Sequence, residues 1–204
     1  MSVKDQKVAQ VLHAATQELL SKGVDAASMH NIAELAAVSK RTLYKYFPTK
    51  DDLYSALIDE LLDRVTEVQP TYSKDIPIRE QLEVIVNNKI DLFTSESFLN
   101  MSKIVLGEML KSRKPLDQQL ERMYNTEVSL IQWIDSAKAA KEINSPISSD
   151  IIAGQFHSIL KGQIFYPVLF YFADPKLIDN KEVCRLTVDF FMASFVDKQL
   201  PINA

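Results

Sequence analysis

An all-α fold of about nine helices is what this sequence predicts, and three observations carry that prediction. Apolar residues recur every three or four positions from Val8 to Val196, the spacing that gathers them on one face of a helix. Only 4 glycines occur in 204 residues, too few for a loop-rich or all-β chain. No convincing strand, internal repeat or low-complexity tract interrupts the helical pattern.

Each element follows from its own residues. Val8, Val11, Leu12, Ala15, Leu19 and Leu20 form the stripe of a first helix, which Lys22-Gly23 closes with glycine just past the end. Ser28 caps a second helix whose inward face is Met29, Ile32, Ala33 and Ala36. Ala37-Val38-Ser39 turns the chain. Ser39 then caps a third helix, from Lys40 to about Tyr46, anchored by Leu43 and Phe47 and stopped by Pro48. Thr49 opens a fourth helix with Asp52 three residues on, a capping box, and Leu53, Leu57, Leu61 and Val65 supply its stripe.

The segment PTYSKDIP, Pro70 to Pro77, breaks the pattern and marks a joint. Beyond it Ile78, Leu82, Ile85, Val86, Ile90 and Phe93 return to helical spacing, followed by Phe98, Met101, Val105 and Met109. Pro115 begins a long helix with Leu116, Leu120, Met123, Leu130, Ile134 and Ala137 in register, and Asn144-Ser145-Pro146 breaks it. The last two helices are the most apolar. Ile151, Ile152, Phe156, Ile159 and Leu160 lead into an aromatic run from Phe165 to Phe172, ended by Asp174-Pro175. Asp179 or Asn180 caps the final helix, with Leu186, Val188, Phe190, Phe191, Phe195 and Val196. The division this implies is a three-helix unit over 1–50, a connecting helix over 50–69, and a larger helical body over 70–204.

Composition bounds the function. Hydrophobic residues make up 47% and charged residues 25%, ordinary for a soluble globular protein. The net charge is −4, so any nucleic-acid binding must come from a local patch. The single cysteine, Cys184, excludes an internal disulfide framework and a multi-cysteine zinc site, and it is expected as a small buried apolar residue. The N-terminus lacks the apolar core of a signal peptide, and no apolar run reaches the ~18 residues of a membrane span. A cytoplasmic setting is therefore expected. The three histidines lie far apart and form no metal-ligand spacing; no metal or cofactor is expected. His13 and His157 are expected to be structural or solvent-facing.

Residues 28–50 carry the chemistry. Two short helices joined by a tight turn can lay the second into a major groove while the first braces across the backbone. Ile32, Ala33, Ala36, Val38, Leu43 and Phe47 supply inward anchors, which leaves Lys40, Arg41, Thr42, Tyr44, Lys45 and Tyr46 to face outward or sideways. Four cations (Lys40, Arg41, Lys45, Lys50) stand against one acid (Glu34) in this stretch, so it is locally basic within an acidic chain. Cations and hydroxyls suit phosphates, while Arg41 or Lys40 can donate to guanine edges and the Thr42 methyl or a tyrosine ring can pack on thymine. A solvated amphipathic helix is the plainer reading of such a stretch. It does not explain why the turn, the anchors and the Phe-Pro-x-Lys exit occur together.

These residues resemble the DNA-binding domain of the TetR/AcrR (tetracycline-repressor-type) family of transcriptional regulators. The matching pieces are Ser28, Ile32-Ala33, Ala37-Val38-Ser39, Thr42-Leu43-Tyr44-Lys45-Tyr46-Phe47 and Lys50, over roughly the first quarter of the chain. Ala37 departs from the family pattern, which has glycine in the turn; alanine is strained there if the left-handed conformation is kept. The resemblance implies that Ser28 and His30 open the second helix beside DNA. It implies that Ser39, Thr42, Tyr44, Tyr46 and Lys50 mostly hold phosphates, and that Lys40, Arg41 and Tyr44 read bases.

It also implies a homodimer paired through the last two helices, with reading helices about 34 Å apart or a multiple of that. A small apolar or aromatic effector would sit among the middle helices. Candidates for that pocket are Phe93, Phe98, Met101, Val105, Met109 and Tyr124, together with Trp133, Phe156, His157, Leu160 and Phe165; a methionine and aromatic stripe is equally what a core requires. The expected function is a dimeric repressor released from a palindromic operator by an effector. An activator of the same fold and a helical adaptor that binds no DNA are the alternatives. An enzyme is not expected: there is no nucleophile elbow, phosphate loop or cofactor fingerprint, and nothing singles out Glu108, Glu127 and His157 as a polar site.

Overall fold

The computed structural model describes residues 3–66, 70–111 and 117–196. Within them the chain is all-α, with nine helical rods and no strand among the described residues. They are α1 (Val3–Ala26), α2 (Met29–Leu35), α3 (Lys40–Tyr46), α4 (Lys50–Thr66), α5 (Ile78–Thr94), α6 (Glu96–Lys111) and α7 (Asp117–Ala139). Next comes α8, which starts as Ser149–Leu160, passes through a π turn at Lys161–Phe165 and ends as Tyr166–Leu169. The last, α9, runs over Asn180–Phe191 and finishes in a π turn, Met192–Val196. No helix among the described residues is long and apolar enough to cross a membrane.

Two compact units emerge. The first comprises residues 1–63 and 96–119; the second comprises 64–95 and 120–204. This grouping differs from a simple break at Pro70–Pro77, because α6 packs on α1 and Ile104 of α6 joins the N-terminal core. That core gathers Val11, Ala15 and Leu19 of α1 with Ile32 and Ala33 of α2, Leu43 and Phe47 from α3 and its exit, and Leu53 and Leu57 of α4. Burying one such aliphatic side chain is worth about 1.5–3 kcal/mol. Leu20, expected on the α1 stripe, instead lies exposed. Helix α1 does break at Gly23, whose φ of 75° and ψ of 166° are not helical, and one further turn follows it.

In the second unit α5 packs on α9 and α8. Phe191 of α9 is the hub: its ring meets Trp133, Phe156 and Phe195 edge-on at centroid distances of 6.5, 6.0 and 5.0 Å. Arg79 of α5 bonds Asp189 of α9 at 2.8 Å. Cys184 is buried, and burial pushes its thiol pKa up, as for a packing residue. Asp179 is the N-cap of α9, accepting from the backbone of Lys181 and Glu182. The aromatic run ends as a helix at Leu169, ahead of Asp174-Pro175, and Phe170, Tyr171 and Phe172 are exposed. Pro115, and the side chains of Val65, Leu116, Leu120, Met123, Tyr124 and Glu127, lie outside the described residues.

Three helices end in the same way. Ala37 (φ 51°), Lys141 (φ 63°) and Tyr171 (φ 61°) sit left-handed just past α2, α7 and α8. After α2, the Ala37 N–H donates to the Glu34 carbonyl and the Val38 N–H to the Ala33 carbonyl, each at 3.0 Å. The pattern repeats as Lys141 to Lys138 with Glu142 to Ala137, and as Tyr171 to Val168 with Phe172 to Pro167. These are Schellman closures, normally made by glycine.

Candidate nucleic-acid interface

The surface is built from caps upward. The Ser28 hydroxyl accepts from the His30 N–H at 3.2 Å and so starts α2. The Ser39 hydroxyl accepts from the Thr42 N–H at 3.1 Å and pairs with the Thr42 hydroxyl at 2.8 Å, which starts α3. Thr49 and Asp52 close a reciprocal box at the start of α4, at 3.0 Å in each direction. Ile32, Leu43 and Phe47 then bury the inner faces, so α3 is held on its apolar side.

The outer side of α3 carries Lys40, Arg41, Tyr44 and Lys45, all exposed, with Thr42 and Tyr46 half-buried. Lys45 lies over the Tyr46 ring at 5.8 Å. Among the described residues Lys40, Arg41 and Lys45 hold no carboxylate. His30 is exposed at the start of α2, with its Nε2 3.3 Å from Glu34. The structure thus brings Ser39, Lys40, Arg41, Thr42, Tyr44, Lys45 and Tyr46 onto one short helix and its cap, with Ser28 and His30 at the head of its neighbour.

Lys50 has a different place. Its ammonium donates to the backbone carbonyls of Val24, Asp25 and Ala27 at 2.8, 3.0 and 3.1 Å. All three of its donors are thereby taken by the elbow that joins α1 to α2, rather than offered to a phosphate.

Glu18, which the sequence pattern does not single out, braces the same elbow. It is 5% exposed, and one of its oxygens takes bonds from the Ser28 N–H at 3.3 Å, the Asn31 amide at 3.1 Å and Lys22 at 3.1 Å. Burial alone raises its pKa, but the donors from Lys22, Asn31 and Ser28 more than offset that and hold it below the usual carboxylate range. The signal was present in the spacing. Position 18 continues the Val11–Ala15 stripe, and an acid on an apolar stripe must find donors.

Ten of the eleven pocket candidates have described side chains, and they divide between the two units; the Tyr124 side chain lies outside the described residues. Phe98, Met101 and Val105 are buried on α6 and Met109 is half-buried there, all within the first unit. Phe93, Trp133, Phe156, His157, Leu160 and Phe165 are buried in the second unit, largely as its aromatic core. Phe93 meets Phe165 at 5.3 Å, and Phe156 meets His157 at 5.8 Å. A cavity of about 540 Å³ does occur in the second unit, along α5 beside the Pro70–Pro77 segment, and of these candidates only Trp133 lines it.

Comparison with known proteins decides between regulator, adaptor and enzyme. A profile of bacterial regulatory proteins of the tetR family matches residues 11–57, and one for the C-terminal domain of AefR-like transcriptional repressors matches residues 80–196. The chain belongs to the TetR family. One relative is the nicotine-responsive transcriptional repressor HdnoR of Paenarthrobacter nicotinovorans, 27% identical over 90% of this chain and 92% of that protein. The transcriptional activator FasR of Mycolicibacterium smegmatis is 32% identical over 46% of this chain and 43% of its own length. A TetR-family regulator from Pseudomonas syringae pv. tomato superposes with a TM-score of 0.75 at 28% identity, covering 95% of this chain and 99% of the other. This TetR-family protein is accordingly a helix-turn-helix DNA-binding transcriptional regulator and not an enzyme. Members of the family bind DNA and typically dimerise.

Proposed function

We propose that the chain is a dimeric repressor that occupies a palindromic operator and leaves it when a small molecule binds the helical body. The observation that carries this reading is the exposed row Lys40, Arg41, Tyr44 and Lys45 on a helix whose other face is anchored by Leu43. Lys40, Arg41 and Tyr44 read base edges. Ser28, His30, Ser39, Thr42, Lys45 and Tyr46 hold the backbone, where contacts set register and salt sensitivity. Lys50 serves by fixing the elbow. The reading unit is 1–50, with 50–69 as connector and 70–204 as the effector-binding and dimerising body. Such a protein works in the cytoplasm, where its DNA is.

Exposed apolar side chains support pairing through the last two helices. Leu186 and Phe190 lie four residues apart on α9, and Ile151, Tyr166 and Phe170 are exposed on and just past α8. Exposed apolar side chains on these two helices suit an association surface. An effector with greater affinity for the conformer whose reading helices are wrongly spaced would shift the dimer off DNA; equal affinity for both conformers would shift nothing.

Selection of random duplexes by the purified protein tests this. A palindromic consensus is expected, and Arg41→Ala should relax the preference at one position in each half-site at a cost of about 1–3 kcal/mol. No enrichment at low salt, with folded dimer present, overturns the reading. The relationship to FasR favours activation as a second reading. A reporter downstream of the recovered site decides the sign, since deletion of the regulator raises expression for a repressor and lowers it for an activator.

A further inference from the structure

We propose that residues 170–177, at the exit from α8, form a stiff apolar hook that docks on a second copy of this chain. This rests on the pairing through the last two helices proposed above and adds to it a segment outside both helices. Phe172 and Leu177 are 83% and 84% exposed, well beyond the half-exposed apolar side chains of α8 and α9. A single exposed apolar residue is ordinary, but here two stand within six residues on a loop that holds them out.

The backbone fixes them there. The Pro167 carbonyl accepts from the Phe172 and Ala173 N–H groups at 2.8 and 3.1 Å, and the Val168 carbonyl accepts from the Tyr171 N–H at 3.2 Å. Asp174 then caps the short turn Pro175–Leu177. Its carboxylate accepts from the Lys176 N–H at 2.9 Å, and its carbonyl accepts from the Leu177 N–H at 3.0 Å. A loop already held in shape loses little conformational entropy on docking. The Phe172 ring also continues an aromatic row from α8. Tyr166 stacks on Phe170 at 6.3 Å, and Phe170 meets Phe172 at 6.2 Å. The hook therefore extends the exposed edge of α8.

Charge and area select a second copy as the occupant. Asp174 and Asp179 alternate with Lys176 and Lys181 around the hook, and all four are exposed. A two-fold interface sets one surface against itself, so a rim of one sign repels itself whereas a rim of both signs can pair. Nucleic acid or an anionic membrane would call for a cationic rim instead. Ile151, Tyr166 and Phe170 on and beside α8, with Leu186 and Phe190 on α9, are 44 to 53% exposed. Together these half-exposed side chains offer on the order of 500 Å². A protomer of an obligate homodimer buries roughly 1,000 Å² or more, about two-thirds of it apolar. The helices alone fall short of that apolar area, and Phe172 with Leu177 adds on the order of 300 Å², which reaches it.

The test uses the full-length protein in sedimentation equilibrium over a dilution series. The wild type should be a dimer. Phe172→Ala and Leu177→Ala, both at exposed positions, should each weaken the dimer about a hundredfold or more, because each change removes its contact twice. Leu110→Ala, at an 86% exposed apolar position on α6, should leave the dimer unchanged. With p-benzoylphenylalanine in place of Phe172, irradiation of the purified protein should give a covalent product of twice the chain mass. Dimerisation untouched by both hook substitutions, weakened as much by Leu110→Ala, or lost only from species larger than the dimer overturns the proposal. A cross-link confined within one chain does the same. Phe190→Ala, on the exposed face of α9, separates the two readings. If it weakens the dimer while the hook variants do not, the hook alone falls. A monomeric wild type, or a dimer indifferent to Phe190 and the hook alike, sinks pairing through the last two helices as well.

Discussion

Replacing Ala37 by glycine should make this protein more stable. The residue is exposed and holds φ 51°, so its methyl group is removed without loss of packing. An L-residue in the left-handed region costs about 1–2 kcal/mol, because Cβ crowds the following carbonyl. Glycine relieves that but gives the unfolded chain more freedom, which takes back about 0.4–1 kcal/mol. The net gain is about 0.5–1 kcal/mol, or about 1–4 °C in Tm for a chain of this size. The two closing bonds, Ala37 to Glu34 and Val38 to Ala33, are backbone bonds and survive the change. Urea and thermal unfolding should be run at one protein concentration, since association couples to stability. The series Gly, Asn, Ala, Val at position 37 should descend in that order, because asparagine tolerates the conformation and a β-branched residue does not. A glycine variant less stable than the parent, or a valine variant equal to it, refutes the reasoning.

Lys50→Met should lower stability by about 1.5–3 kcal/mol through loss of its charged bonds to three carbonyls. It should leave the salt slope of DNA binding unchanged. A slope reduced by about 1.8, for one contact from each protomer of the dimer, with stability intact would mean that Lys50 grips a phosphate after all. Glu18 has a depressed folded pKa, so its contribution is complete above the unfolded value of about 4.3 and disappears as pH falls through the lower folded value. Glu18→Gln should therefore flatten the acid limb of a stability–pH curve in part. Asp150 and Glu182, held low by hydrogen bonds from Ser148 and Arg185, retain the rest. Tyr54 has its pKa pushed up to about 12 by burial and by the charge of Glu108. The unfolded chain ionises near about 10, so the protein loses stability as pH rises from there towards 12, and Tyr54→Phe should remove that part of the alkaline loss.

The helical caps were legible in the sequence because each is made by a side chain within three residues of the backbone it serves. Ser28, Ser39, Thr49 with Asp52, and Asp179 all do what their spacing implies. The reading helix was legible for the same reason: α3 runs from Lys40 to Tyr46, and its inward anchors, Leu43 and Phe47, are buried. The helix ends were less so. Three of them close on alanine, lysine and tyrosine, and without glycine there is no local signal to read. The bonds that Lys50 makes within the chain were not legible, because their acceptors lie 23 to 26 residues away in sequence. The cavity escaped notice because its wall is not an aromatic stripe. It is a run of mixed residues on α5, closed by a loop that Gln81 fastens through bonds spanning five to eight positions.

The grip of Lys50 on the α1–α2 elbow bears on how this molecule can respond to a signal. Lys50 is the first residue of α4, and its hold bolts that helix to the base of the DNA reader. Torque applied along α4 would swing the reader as a whole, like a handle fixed to a blade, and would not bend it at the wrist. Unbolting the two should leave a blade that still cuts and a handle that no longer steers it.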